Sequence, residues 1–170
     1  MHSKDYDIAE KVMNEVYDNS SLKKVSQSAS ERWRLFKAYL NFAVPEKQII
    51  KRLTFNDFYI SMTYYNKDKK GYNISLIILE FLHMLSKNKF DVALNKLDNL
   101  EKYYYRYLNE PGKNPREKQF FKLIKVLVNS SFDTKVAAET GQKYVENLTT
   151  KAKHEPYTDP EIIPYEHLWD

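Results

Sequence analysis

Four groups of side chains have the types and spacing to do chemistry. Glu80 and His83 stand three residues apart, one turn of a helix. A carboxylate and an imidazole so placed can share a metal ion or relay a proton. Tyr103, Tyr104, Tyr105 and Tyr107 interleave with Lys102 and Arg106. Such a mix can stack on bases or form a partner-binding surface. Lys67, Lys69, Lys70 and Lys113 are placed in loop-like sequence where they could touch phosphate. Tyr165, Glu166, His167 and Trp169 crowd the last residues of the chain.

Each group has a plainer reading. Bundles that hold two metal ions repeat the Glu-x-x-His spacing and add further glutamates; here it occurs once. Glu80 and His83 are therefore read as the polar edge of a helix. Tyrosines at helical spacing make core and rim, and of these Tyr103 and Tyr105 fall off the apolar stripe, where a partner can reach them. The lysines read as solvated loop charges, and the C-terminal cluster as docking residues. There is no glycine-rich phosphate loop, nucleophile elbow or paired-carboxylate signature. No catalytic, cofactor-binding or metal-binding residue is assigned, and a non-enzymatic protein is expected. The candidate partner-binding residues are Tyr103, Tyr105, Arg106, Glu80, His83, Tyr165 and Trp169.

Composition agrees with a compact helical protein. The 170 residues are 42% hydrophobic and 15% aromatic, with a mean hydropathy of −0.68. That suits a globular domain with an aromatic-rich core. Three glycines and no Asn-Gly or Asp-Gly pair argue against an all-β chain. Zero cysteines exclude disulfides, thiolate zinc sites and cysteine nucleophiles. The N-terminal residues turn acidic where a leader would become apolar, so a cytoplasmic protein is expected. A net charge of +4 is too mild to demand nucleic acid.

The elements follow from periodicity. Residues 4–17 form a short amphipathic helix with Ile8, Val12, Met13 and Val16 on one face. Ser28 and Glu31 make a capping box for a helix over 28–43, with Trp33, Phe36, Tyr39, Leu40 and Ala43 inward. A further helix spans 54–65, with Phe55, Phe58, Tyr59 and Met62. Residues 73–87, NISLIILEFLHMLSK, are the most apolar run. Ile78, Phe81, Leu82 and Leu85 should be almost fully buried there. The helix over 90–108 carries Phe90, Ala93, Leu94, Leu97, Leu100 and Tyr104. Asn114 caps and Pro115 opens the next, over 116–129. The last long helix, 133–151, carries Val136, Ala137, Gly141, Tyr144 and Leu148. Residues 155–170 hold Pro156, Pro160 and Pro164 yet are apolar, so they should pack on the body with a terminal turn from Pro164.

An internal register is visible. Phe36, Tyr39, Leu40 and Ala43 map onto Ile78, Phe81, Leu82 and Leu85, and these onto Phe120, Leu123, Ile124 and Leu127, each at an offset of 42. Asn88, Phe90 and Asp91 match Ser130, Phe132 and Asp133 at that offset. Three antiparallel pairs result, 28–65, 73–108 and 116–151, preceded by helix 4–17, in one domain over 1–154.

The run HMLSKNKFDVALNKLDNL resembles the second half of a tetratricopeptide repeat. Phe90 stands at the aromatic after the turn, Ala93 at the small residue of the second helix, and Leu97 and Leu100 at the following core positions. Asn88 replaces the turn glycine, Glu80 and Phe81 replace Leu-Gly, and the repeat exceeds the usual length of about 34. More broadly, KDKKGYNISLIILEFL, KYYYRYL and EIIPYEHLW resemble uncharacterised helical-repeat proteins of Bacteroidetes, whose chains continue beyond this point. The resemblance implies a right-handed superhelix of stacked helix pairs, six to seven helices in all. It carries over no activity, and it implies that this chain is a fragment or a C-terminally truncated copy. The repeat and the absence of catalytic signatures lead instead to the expectation of a protein or peptide partner and no cofactor. A nucleic-acid-associated accessory protein is the alternative.

Overall fold

The structure is a computed structural model that describes residues 1–45, 58, 61–62, 72–108, 115–151 and 161–169. Every element among them is helical, with seven α-helices and no strand. The helix expected over 54–65 lies outside the described residues except for Phe58, Ser61 and Met62, and so does the Asn114 cap. No helix among the described residues is long and apolar enough to cross a membrane. The chain divides into two compact units, Met1–His83 and Met84–Asp170.

In the first unit, α1 (Tyr6–Asp18) starts where Asp5 accepts a hydrogen bond from the Ile8 N–H at 3.0 Å. A 3₁₀ turn, Ser20–Lys24, follows. Helix α2 (Gln27–Ala43) is capped by Ser26, whose hydroxyl accepts from the Ala29 N–H. The expected capping box at Ser28 is therefore displaced. Ser28 bonds to the Ser26 hydroxyl at 3.0 Å, and Glu31, now inside the helix and buried, accepts from the Gln27 amide at 2.9 Å. Leu40, Met13 and Val44 form one core, ringed by Tyr6, Tyr17, Trp33 and Phe36. Leu35 and Tyr39 bury another side of α2, and the Tyr39 hydroxyl donates to the Ser75 carbonyl at 2.7 Å. Ile8 and Val12, expected in the core, are 60% and 44% exposed, because the side of α1 that packs on this core carries Tyr6, Ala9, Met13 and Tyr17 instead.

Helix α3 (Asn73–Ser86) is buried on more than one side. Ile78, Phe81 and Leu82 are buried as their spacing requires, while Leu85 is half-buried. Glu80, expected on a polar edge, is buried as well, and so is Ser75.

In the second unit, α3 ends in a turn with Asn88 at φ 54°, and α4 (Phe90–Tyr103) follows. Helices α5 (Pro115–Asn129) and α6 (Thr134–Lys151) pack along each other as a hairpin. The two turns are built alike. Lys89 N–H donates to the Met84 carbonyl and Phe132 N–H to the Leu127 carbonyl, each at 2.9 Å and each reaching back five residues. This closure satisfies the orphan carbonyls at a helix end and asks for a left-handed residue. Asn88 and Ser131 both supply it, with Phe132 beside Ser131. The matched bonds run 43 positions apart, one more than the side-chain register of 42. Behind the turns, Ala93 and Ala137 are fully buried, and the Phe90 and Phe132 rings stack at 4.6 Å.

The α4 stripe is rotated from its expected position. Ala93, Leu100 and Tyr103 face inward, leaving Phe90 and Leu94 about 40% exposed. Val136 on α6 is exposed too. Gly141 explains how tightly α5 and α6 meet, since a Cβ there would lie 2.9 Å from Leu123 Cδ2. Residues 161–164 and α7 (Tyr165–Trp169) close the unit, with the Pro164 carbonyl accepting from His167 and Leu168.

Candidate partner-docking surface

The candidate residues part into internal and external groups. Glu80 is 8% exposed and His83 half-buried, and both are engaged in interactions within the fold. Glu80 is thus buried where the sequence reading places a polar edge, while His83 keeps part of its surface open. Among the described residues, no three His, Asp or Glu gather to hold a metal ion.

Tyr165 and Trp169 also point inward. The Tyr165 ring stacks on Phe120 at 4.5 Å, and Trp169 lies against Gly141, half-buried. Beneath them is a buried ion network that the sequence did not reveal. Arg116 donates from Nε and Nη2 to both carboxylate oxygens of Glu161 at 2.7 and 2.6 Å, from Nη2 to Glu166 at 2.5 Å, and from Nη1 to the Leu148 carbonyl at 2.9 Å. The Tyr165 N–H donates to Glu161 at 2.8 Å. Burial pushes the Glu161 carboxyl above the usual glutamate range, against the lowering effect of Arg116 and the Tyr165 amide. Burial also disfavours the Arg116 charge, but its bonds to Glu161 and Glu166 outweigh this and hold it protonated. The network fastens the C-terminal segment to α5 and α6.

Tyr103 and Tyr105 diverge. Residues two apart on a helix point about 200° away from each other, so both could not leave the core. Tyr103 is 7% exposed and Tyr105 is 63% exposed. At Tyr104 the helix widens into a π-turn, Tyr104–Leu108, a form that recurs at functional sites. The Tyr104 ring is anchored flat on Phe121 of α5 at 4.4 Å and meets Tyr105 edge-on at 5.4 Å. Tyr105 is thus held outward on an aromatic footing.

Around it lies an open hollow of about 480 Å³, lined by Asp98, Glu101, Lys102, Tyr105 and Arg106. Asp98, Lys102 and Arg106 follow one another at four-residue steps along this side. Glu101 accepts a salt bridge from Lys125 of α5 at 2.9 Å, which holds the Lys125 ammonium above its usual range. Asp98, Glu101 and Lys125 were not singled out from the sequence. The four-residue charge spacing was visible there, but nothing marked which face of α4 would be open. Lys67, Lys69, Lys70 and Lys113 lie outside the described residues. No protein-family model, curated protein or solved structure matches this chain.

Proposed function

We propose that the chain is a non-catalytic helical-repeat scaffold that binds a protein or peptide, with the π-turn at the end of α4 as its docking surface. The observation that carries this is Tyr105, 63% exposed, held outward by Tyr104 on Phe121, beside an open hollow with charges on its rim. An exposed aromatic on a rigid support contributes contact area at little entropic cost, as interface anchors do. The repeat reading, stacked antiparallel pairs over 28–65, 73–108 and 116–151 in a right-handed superhelix, is supported by the twin turns at Asn88 and Ser131 and by the buried alanines behind them. The absence of cysteine suits a reducing, cytoplasmic setting.

Selection of a random-peptide display library on the immobilised full chain tests the reading. Enriched peptides should lose binding to Tyr105→Ala and keep it for Lys11→Ala, on exposed α1. Peptides that bind Tyr105→Ala as well as the wild type would overturn it.

A further inference from the structure

Exposed apolar side chains are not spread evenly over this chain. Among the described residues, five of the eight large ones fall into two clusters. The first is on α1, where Ile8 and Val12 are exposed one turn apart, on the side away from the Met13 core. The second is where α4 and α6 begin. The Phe90 and Phe132 rings stack there, Leu94 is exposed one turn along α4, and Val136 is exposed in the first turn of α6. Single exposed apolar side chains need no explanation, whereas neighbouring ones mark interaction surfaces.

Each cluster leads into charge at the same spacing. Seven residues along a helix return to the same side, about 10 Å further on. On α1 that step runs from Ile8 to Glu15, an exposed carboxylate with no partner among the described residues. On α6 it runs from Val136 to Lys143. The Lys143 and Lys122 ammoniums both lie over the Tyr144 ring, 4.9 and 5.6 Å from its centroid. The ring attracts both cations without neutralising them. No carboxylate pairs with either among the described residues.

We infer that α1 of one copy of this chain docks on the α4–α6 patch of a second copy, with Ile8 and Val12 against Phe90, Leu94 and Val136, and Glu15 on Lys122 and Lys143. A parallel run of α1 beside α6 sets Ile8 next to Val136 and Glu15 next to Lys143. An antiparallel run would place the Glu15 charge on the apolar patch, which is costly. The two faces are unlike, so the contact is heterologous and either closes into a ring or extends into a chain of copies. One helix face on this patch covers less than the roughly 800 Å² per partner of a standard interface, so the association is weak. Tyr105, about three turns beyond Leu94 on α4, takes no part in it.

Sedimentation velocity of the full chain, from low micromolar to millimolar protein, tests this. The average mass should rise with concentration. Glu15→Lys and Lys143→Glu should each weaken association about tenfold. Mixing these two variants should restore it, because the new lysine of one then meets the new glutamate of the other. Val12→Asp and Leu94→Asp should each abolish it, and Tyr105→Ala should leave it unchanged. All these positions are exposed on helices, and circular dichroism checks that each variant is folded. Monomer mass throughout the range would overturn the inference. So would association that survives Val12→Asp, or charge variants that associate no better together than apart. Loss of association in Tyr105→Ala would move the contact to the π-turn and overturn it too.

Discussion

Arg116 and Glu161, 45 positions apart in the chain, form a bidentate pair at 2.6 and 2.7 Å with both residues 1% exposed. Glu166 shares the same guanidinium. Removing one partner of a buried ion pair strands the other charge, whereas replacing the whole set by apolar groups is often neutral. Arg116→Met should therefore cost about 3–5 kcal/mol. Arg116→Met with Glu161→Met and Glu166→Leu should recover most of that loss. Urea denaturation midpoints of the wild type and the two variants measure both. A triple variant no better than the single one would show that the network contributes net stability.

The Glu161 carboxyl is raised, chiefly by burial, so the folded chain holds that proton more tightly than the unfolded chain. Its contribution to stability is complete below the ordinary glutamate range. It is lost as pH rises through the raised value. Glu161→Gln has no such titration. The stability of this variant relative to the wild type should then increase from pH 4.5 towards neutrality. Parallel chemical denaturation of the two proteins across that range reads the sign directly, and a decrease would mean that Arg116 dominates burial.

Gly141 sits inside α6, where alanine would favour the helix by about 1 kcal/mol. The added Cβ would meet Leu123 Cδ2 at 2.9 Å and Trp169 Cζ2 at 3.3 Å. Leu123 is fully buried, so overpacking of about 1–3 kcal/mol outweighs the propensity gain. Gly141→Ala should be destabilising by about 1 kcal/mol net. Trp169→Ala gives Leu123 room to shift, and the double variant should fall short of additivity in a thermal or urea unfolding cycle.

Phe81 and Leu85 lie one turn apart on α3 and were read from the sequence as equals. Phe81 is 1% exposed and Leu85 half-buried. Phe81→Ala should cost about 3–5 kcal/mol, and Leu85→Ala about 2 kcal/mol or less. Denaturant titration of the two alanine variants separates them.

The difference between these residues shows what was legible. Hydrophobic spacing is local, so the helical class, the apolar run of α3 and the start of α5 at Pro115 could be read directly. Caps were readable to within a choice of acceptors: Ser26, Ser28 and Ser30 are alike by type, and it is the Ser26 hydroxyl that accepts from the Ala29 N–H. Which side of a helix meets a neighbour is a tertiary property. For α4 the answer turned on Ala93, whose small side chain allows close approach, over the larger Phe90 and Leu94. The Arg116 network was hidden for the same reason, since no spacing rule links residues 45 apart.

Tyr103 and Tyr105 give the sharpest separation of stability from binding. Tyr103 lies in the buried stripe of α4, so Tyr103→Ala should cost about 3 kcal/mol. Tyr105 leaves its ring to solvent, touching Tyr104 edge-on, and Tyr105→Ala should stay within about 0.5 kcal/mol of the wild type. Thermal unfolding of the two variants measures the first contrast, and the display-selected peptides measure the second. A stable Tyr105→Ala protein that has lost its peptides would assign the ring to recognition. A destabilised one would instead show that the π-turn depends on the Tyr104–Tyr105 contact to form, because the edge-on pair is the one ring contact Tyr105 makes among the described residues.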